Sequence, residues 1–256
     1  MKHLLAATGC ALLLLGCSDD EPGGPGGTSS NSSASAGDGG AGGSGGSTGG
    51  AGAASAVGAG GTGVAGAGGQ GGSADAYPPG PYGLEVGDVV PNLELQGFVD
   101  STVSQTLVTI RLADFYNPSG DGTYPADSQY GAGAAKPRAL LLNLAAVWAP
   151  QCRNESAEVL PPRHEQYAPM SGQFLTVLIE GNMPLEAADA MNLATWTTEY
   201  PTQHPAAIDP SATIQPTLES YPTNLVIDPR TMAVVGRWMG VMSDPTWAIF
   251  ENVLAL

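Results

Sequence analysis

The stretch ALLLNLAAVWAPQCRNE, residues 139–155, decides how the rest of the chain is interpreted. Residues 139–147 are apolar except for Asn143, and a run of this length and composition is typical of a strand buried inside a sheet. Trp148 ends the run, and Cys152 follows four residues later. A helix-like segment, residues 154–167, begins two residues after Cys152, so this cysteine lies between a predicted strand and a predicted helix.

Similar apolar runs recur after this point and alternate with segments of helical pattern. The last two are separated only by the turn DPRT at 228–231, so we expect them to pair as antiparallel strands. In the C-terminal helix, Asp244 is predicted to be the capping residue and Pro245 the first helical residue. This alternation predicts an α/β fold, with a central mixed β-sheet flanked by helices. The predicted strands lie at 139–147, 174–180, 224–228 and 233–238, and the predicted helices at 154–167, 185–200 and 244–256.

The beginning of the chain has a pattern typical of bacterial export. Its apolar run at 4–15 is shorter than the ~20 residues that a membrane-spanning helix needs, and it fits a secretory signal. The run ends in LLGC, which resembles the lipobox of bacterial lipoproteins, with Cys17 as the lipidated residue. The alternative is an ordinary secretory signal with a chance cysteine. We therefore predict that residues 1–16 are a lipoprotein signal peptide and that the protein is held by lipid in the cell envelope, on the periplasmic or surface face of the outer membrane.

Residues 17–76 consist mainly of Gly, Ser, Ala and Thr. Such a segment cannot bury enough apolar surface to offset the entropy lost on ordering, so it is predicted to be a disordered linker. It is either a spacer that lifts a domain off the membrane or unselected low-complexity sequence. Residues 77–256 are enough for one domain. The formal charge of −16, from 24 acidic and 8 basic side chains, argues against nucleic acid as a partner.

The chain has three cysteines, and only one is expected to remain a free thiol in the mature protein. Cys10 leaves with the signal peptide, and Cys17 carries lipid. Cys152 is then the only thiol, so an intramolecular disulfide is excluded even in an oxidising compartment. Any disulfide of Cys152 would have to join it to another molecule.

Three segments together resemble the redoxin group of thioredoxin-fold proteins, closest to membrane-tethered thiol–disulfide oxidoreductases of the TlpA type. VGDVVPNLEL at 86–95 is similar to the entry hairpin V-G-D-x-x-P-x-F-x-L. LLLNLAAVWAPQCRNE is similar to the active-site segment V-N-F-W-A-x-W-C-x-x-C-R-x-E, and YPTNLVIDPRTMAVVGRWMG at 221–240 to the cis-proline segment x-P-T-x-x-x-I-D-x-x-G. The resemblance implies a thioredoxin-like fold over 77–256. Residues 115–138 depart from the family as a polar, Gly-rich insertion, and we expect a surface loop there.

The resemblance also exposes a missing sulfur. Five residues fall on family positions, namely Asn143, Trp148, Cys152, Arg153 and Glu155, whereas Ala149 stands where the first cysteine of C-x-x-C should be. In the family that first cysteine attacks the substrate disulfide, and the second resolves the mixed disulfide. Ordinary dithiol activity is therefore not expected. Cys152 is the candidate catalytic residue for a one-cysteine chemistry, namely a mixed disulfide or a sulfenic acid; the alternative is a partly buried structural cysteine.

A second candidate surface is implied by the cis-proline segment. In the family, the backbone beside this proline lies against the active-site turn and pairs with the substrate chain. Tyr221, Pro222 and Thr223 are accordingly predicted to form a substrate-binding edge, with Trp148 beside them. The alternative is that the bend serves the fold alone and that Trp148 packs on the sheet.

Other chemistries find little support. A thiol peroxidase of this fold would carry its reactive cysteine at the position of Ala149, with Thr or Ser three residues before it. His164 and His204 share no metal-like spacing with Cys152, so we predict no metal and no cofactor and interpret both histidines as solvent-exposed.

Two functional hypotheses remain. The first is a lipid-anchored, thioredoxin-like protein with a thiol–disulfide redox role through its single cysteine, acting on exported proteins or small disulfides. The second is a non-catalytic module that binds peptides or proteins. A monomer is predicted in either case.

Overall fold

The computed structural model of the chain describes residues 76–215 and 218–256. The predicted signal peptide 1–16, the lipidation residue Cys17 and all but the last residue of the predicted linker lie outside the described residues. Among the helices of the described part, none is both long enough and apolar enough to cross a membrane.

The centre of the described domain is a single mixed sheet. Its strands are β1 (Glu94–Phe98), β2 (Val108–Arg111), β3 (Ala139–Ala146), β4 (Gly172–Glu180), β5 (Ala206–Ile208), β6 (Thr223–Asp228) and β7 (Ala233–Met239). They lie in the order β2-β1-β5-β4-β3-β6-β7. The pairs β3–β4 and β4–β5 are parallel, and β3–β6 and β6–β7 are antiparallel. Antiparallel β1 and β2 extend the sheet beyond β5.

A continuous helical segment joins β3 to β4. It begins as α1 (Pro150–Asn154), widens into a π-helical turn (Glu155–Val159) and continues as α2 (Leu160–Tyr167). The two prolines that follow Leu160 explain the widening, because each lacks an N–H donor and its ring would press on the carbonyl four residues earlier. The other helices are α3 (Ala190–Glu199) and α4 (Asp244–Leu254), and short 3₁₀ turns cover Leu112–Phe115 and Ala168–Met170.

Both faces of the sheet are covered, as the unbroken apolar run of β3 predicts. Alternate residues of β3 point to opposite faces. Leu140 and Leu142 join the core beneath the 3₁₀ turn at Leu112–Phe115, whereas Leu141 packs with Phe250 of α4. Helix α3 buries Leu193 and Trp196 against the candidate site.

This topology confirms the predicted thioredoxin-like fold. A βαβ unit (β3, α1–α2, β4) is followed by a ββα unit (β6, β7, α4), and the last two strands pair antiparallel as expected. The start of α4 was predicted one residue too late: Ser243, not Asp244, caps the helix, and Asp244, not Pro245, is its first residue. Strands β1, β2 and β5 were not predicted individually.

The insertion at 115–138 is a surface loop, as expected, but several of its side chains anchor it. Buried Asn117 donates to the Pro137 carbonyl at 2.9 Å and accepts from the Gly122 N–H at the same distance. The rings of Tyr124 and Tyr130 stack with centroids 4.9 Å apart. The loop therefore presents a fixed surface.

Candidate functional site

The turn after β3 has the geometry that the sequence predicted. Ala149 is the N-cap of α1, with an extended backbone (φ −82°, ψ 119°), and Pro150 is the first helical residue. The N–H of Val147 donates to the Glu180 carbonyl at 2.9 Å, and the N–H of Trp148 donates to that of Gly181 at 3.1 Å. These bonds fix the turn at the C-terminal ends of the two parallel strands β3 and β4.

Cys152 lies beneath this turn with only 1% of its surface exposed. Its Sγ accepts a hydrogen bond from the Ala146 N–H at 3.4 Å. Burial raises the pKa of the thiol to about 12, and the nearby Glu155 carboxyl adds to the rise, although the Ala146 N–H and Arg153 act in the opposite direction. The thiol is therefore protonated and covered at neutral pH.

A buried carboxyl group lies on the same helical segment. Glu155 is fully buried and accepts hydrogen bonds from the side-chain amides of Asn143 and Asn224, at 2.8 and 2.9 Å, and from the Met242 N–H at 3.0 Å. Burial raises its pKa to about 7 against the lowering effect of these donors. Glu155 therefore ties the π-helical turn to β3, β6 and the start of α4.

A second buried carboxylate holds the other side of the turn. Glu180, the last residue of β4, accepts from the indole N–H of Trp148 at 2.7 Å and from the Gln215 amide at 3.2 Å. The Trp148 ring meets Tyr221 edge-on with centroids 6.3 Å apart. Burial, together with the nearby Glu180 and Cys152, raises the pKa of the Tyr221 hydroxyl.

The structure brings the predicted edge to this site. Tyr221 packs in the same cluster as Ala149 and Cys152, and its peptide bond to Pro222 is cis. Pro222 and Thr223 are buried, Thr223 faces Leu144 across the sheet, and the Pro222 carbonyl accepts from the Gly240 N–H at 2.7 Å. Neither backbone group of Tyr221 hydrogen-bonds to a described residue. Tyr221 therefore keeps one backbone donor and one backbone acceptor that the described part of the chain does not use.

Exposed apolar side chains surround this edge on two loops. On the loop after β4, Met183 is 66% exposed and Leu185 is 83% exposed. Leu185 also has a positive φ of 67°, a left-handed conformation that leucine adopts at a cost of about 1–2 kcal/mol. Met239, the last residue of β7, and Val241, on the loop after it, are also exposed, and Met239 pairs with Thr223. We call these four residues the apolar rim.

The histidines differ from the sequence prediction. His204 is only 2% exposed, so its interpretation as a solvent-exposed residue was wrong. It contacts His164, with ring centroids 5.1 Å apart, although the two are far apart in sequence. Burial and the neighbouring His164 lower the pKa of His204 to about 3. Across 76–215 and 218–256, no group of three or more potential metal ligands comes together.

Sequence reasoning missed Glu180 and Asn224. Both lie in strands, where polar side chains inside an apolar run are the only available signal: FLTVLIE ends in Glu180, and Asn224 is the first polar residue after Thr223 in TNLVID. A buried polar residue of this kind requires a partner, but its partners come from distant parts of the chain.

Comparison with known proteins gives structural likeness only. No protein-family model matches the chain, and no curated protein matches its sequence. The chain is 14% identical to the thioredoxin domain of a thiol-disulfide oxidoreductase from Bacteroides vulgatus, with 67% of this chain and 99% of that chain covered and a TM-score of 0.44. It is 16% identical to a secreted thiol-disulfide isomerase from Corynebacterium glutamicum (66% and 87% covered, TM-score 0.45). It is 20% identical to a pneumococcal exposed lipoprotein thioredoxin from Streptococcus pneumoniae (65% and 100% covered, TM-score 0.40).

Proposed function

We propose that this chain is a lipid-anchored envelope protein whose thioredoxin-like domain binds extended segments of exported polypeptides without exchanging disulfides. The proposal rests on the difference between two neighbouring groups at the turn after β3, the Cys152 thiol and the Tyr221 backbone. The thiol of Cys152 is covered, while the backbone N–H and C=O of Tyr221 beside it make no hydrogen bond to a residue of 76–215 or 218–256. The protein acts as a monomer, held through Cys17 and the segment 17–76.

The chemistry of the turn argues against a redox cycle. Thiol–disulfide exchange needs a thiolate, and burial raises the pKa of the Cys152 thiol to about 12, so the thiol form prevails at pH 7. A mixed disulfide also needs a second sulfur to resolve it, and Ala149 has none. The turn can therefore serve only as part of a binding surface.

The surface around Tyr221 favours an extended, apolar and basic segment as the occupant. An extended chain can pair with the N–H and C=O of Tyr221, which no described residue occupies, as an added strand does at a sheet edge. The apolar rim offers methionine side chains, which adapt to different partners. The formal charge of −16 favours basic residues in the bound segment.

Binding of an unfolded, reduced and carboxymethylated basic polypeptide to the full chain tests the proposal, because such a ligand contains neither thiols nor disulfides. We expect saturable binding in fluorescence anisotropy. Leu185→Asp should weaken it about tenfold, since it places a charge in the rim. Met170→Asp is the matched control, because Met170 is also exposed but follows α2, at the opposite end of β4. Equal loss in both variants would contradict the proposal.

The single-thiol function is the second candidate. The N–H of Ala146 points at Sγ, and such a donor stabilises a thiolate. In that function the Cys152 thiolate would attack a partner's disulfide, form a mixed disulfide and release the partner's other sulfur as a thiol. A pH titration of Cys152 alkylation in the full chain separates the two candidates, with Cys152→Ser as the blank. Slow alkylation with a pKa well above 8.5, together with full polypeptide binding by Cys152→Ser, supports the binding module.

The anchor has its own test. Expression in a bacterial host with labelled palmitate should label the wild-type chain. Cys17→Ser should abolish the label and release the protein from the membrane fraction. A membrane-free, unlabelled wild-type chain would leave an ordinary secretory signal as the correct interpretation.

A further inference from the structure

The end of the sheet opposite the candidate site carries a cationic pocket. The chain has 24 acidic side chains and only 8 basic ones, yet three of the basic ones, Lys136, Arg138 and Arg230, line the same cavity of about 480 Å³. This cavity lies where β3 and β4 begin, because Arg138 directly precedes β3 and Ser171 directly precedes β4. Such clustering in an acidic protein needs a counterion.

Arg138 is the basic residue of this pocket that has no acidic partner among the described residues. Its side chain is exposed, and within the described part of the chain no carboxylate lies at ion-pair distance from it. By contrast, Arg111, Arg163 and Arg237 are each bridged to an acidic side chain. The backbone N–H of Arg138 donates to the Ser171 carbonyl at 2.8 Å, which fixes where its side chain begins.

The other two cations are held in place by the fold. The Arg230 guanidinium donates two hydrogen bonds of 2.8 Å to Asp228, one to each carboxylate oxygen. The Lys136 ammonium donates to the Tyr116 carbonyl at 2.8 Å and lies over the Tyr124 ring, so its position is fixed. The pocket therefore contains preorganised positive charge.

Two serine hydroxyls and the backbone of a glycine complete the lining of the pocket. Ser119 and Ser171 line the pocket, and neither hydroxyl makes a hydrogen bond to a described residue. Ser171 has a positive φ of 64°, a conformation more usual for glycine or asparagine at the end of a helix. Gly120 also has a positive φ, of 78°, and a Cβ there would lie 3.6 Å from Cδ of Arg230. Because residue 120 is a glycine, the loop backbone lies next to the Arg230 side chain with no other side chain between them.

We propose that this pocket binds a phosphate-type oxyanion. Such an anion accepts hydrogen bonds from several directions at once, which suits a guanidinium, an ammonium and two hydroxyls around one cavity. The insertion at 115–138 supplies Ser119, Gly120, Lys136 and Arg138, so the site belongs to the part of the chain that departs from the family pattern. Asp121 also lines the cavity and limits the charge of the ligand that it admits.

Titration of the full chain with inorganic phosphate in a chloride buffer tests the site by calorimetry. We expect one saturable site. Arg138→Gln should weaken binding about tenfold or more, because it removes a charge-assisted contact. Arg153→Gln is the matched control: Arg153 is also exposed, also lacks a carboxylate at ion-pair distance among the described residues, and lies at the other end of β3. Its substitution should change the affinity less than twofold.

The same variants identify the source of the phosphoryl group. Flotation with phosphatidylglycerol vesicles, against phosphatidylcholine vesicles, asks whether a lipid headgroup supplies it. Retention that Arg138→Gln abolishes and Arg153→Gln preserves would support the site with a lipid as its source. Given the net charge of −16, we expect the free anion to bind and the vesicles not to. The absence of saturable phosphate binding and of vesicle retention, or equal losses in both variants, would overturn the proposal.

Discussion

The two ends of the parallel strands β3 and β4 carry opposite chemistry. At the C-terminal end, two carboxyl groups, Glu155 and Glu180, are buried among the hydrogen-bond donors that position them. At the N-terminal end, Arg138 is exposed, lacks an acidic partner among the described residues and lines an open cavity. In a thioredoxin-like fold the C-terminal end is where sulfur chemistry is expected. Here its two buried carboxyl groups serve the architecture, whereas Arg138 at the other end lines a cavity.

The two ends should therefore respond differently to substitution of their charged residues. A buried carboxyl group with several partners cannot be removed without leaving those partners unsatisfied, so its loss lowers the stability of the fold. An exposed arginine without a partner contributes little to stability, so its loss affects binding alone. The following changes test this division, from the largest expected effect to the smallest.

Ala149→Cys should have the largest effect, because it restores the missing sulfur at the C-terminal end. Residue 149 caps the helix whose first turn contains Cys152, and this is the spacing of a redox disulfide. On mild oxidation, both thiols should become resistant to alkylation until a reductant is added, as mass spectrometry can show. The wild-type chain cannot form this bond. A folded variant whose two thiols remain separately reactive would contradict the assigned geometry.

Glu155→Ala should lower the free energy of unfolding by about 3–5 kcal/mol, since it leaves three buried donors without an acceptor. Arg138→Ala, at the opposite end, should change it by less than about 0.5 kcal/mol. Urea denaturation at pH 6 measures both, provided that the m-values agree. Similar losses in the two variants would remove the distinction between the two ends.

The pH dependence of stability should identify Glu155 as the group responsible. Its pKa rises from an ordinary 4.5 to about 7 on folding, so the folded state binds the proton more tightly. Protonated Glu155 therefore adds up to about 3 kcal/mol to the free energy of unfolding. This stabilisation is complete below pH 4.5 and is lost as the pH rises through 7. His204, with a lowered pKa, gives the opposite slope at lower pH. The informative quantity is therefore the difference in unfolding free energy between the wild type and Glu155→Gln. A difference that stays constant with pH would contradict the raised pKa.

The sequence carried enough information to predict the frame of this fold. The run of β3, buried on both faces, is unambiguous because its apolar residues are continuous, and the short turn before Ala233 allows only an antiparallel pair. β5 has only three residues, too few to show a period, and its place between β1 and β4 depends on pairing across the chain. The cap of α4 was misplaced by one residue because Ser243 and Asp244 are both good caps.

The site was predictable only in part. Positions 148, 149 and 152 follow one another along the chain, so a local pattern was sufficient to place them together. The partners of Glu155 and Glu180 come from β3, β6, the segment before α4, the turn at Trp148 and the loop containing Gln215, and no single local pattern links those segments. The burial of His204 has the same origin, since His164 and Phe174 cover it from other elements.

Arg230→Gln should lower the free energy of unfolding by about 1–2 kcal/mol, because it leaves the mostly covered Asp228 carboxylate without its two-bonded partner. Arg138→Gln should have almost no effect on stability, although both residues line the same pocket. Thermal unfolding of the two variants in phosphate-free buffer makes the comparison. If Arg138→Gln proved equally costly, Arg138 would have a structural partner, and the cationic pocket would not be an open site.

Leu185→Asn should have the smallest effect, and it should act in opposite directions on stability and on binding. The left-handed backbone at Leu185 suits asparagine better, so the variant should be more stable by about 0.5–1 kcal/mol. The same change removes an exposed apolar side chain from the rim and should weaken polypeptide binding. Met183→Ser is the control, since Met183 is exposed on the same loop without a positive φ: it should weaken binding and leave stability unchanged. A gain in stability with no loss of binding would show that the conformation of Leu185 is a property of the loop alone, unrelated to a partner.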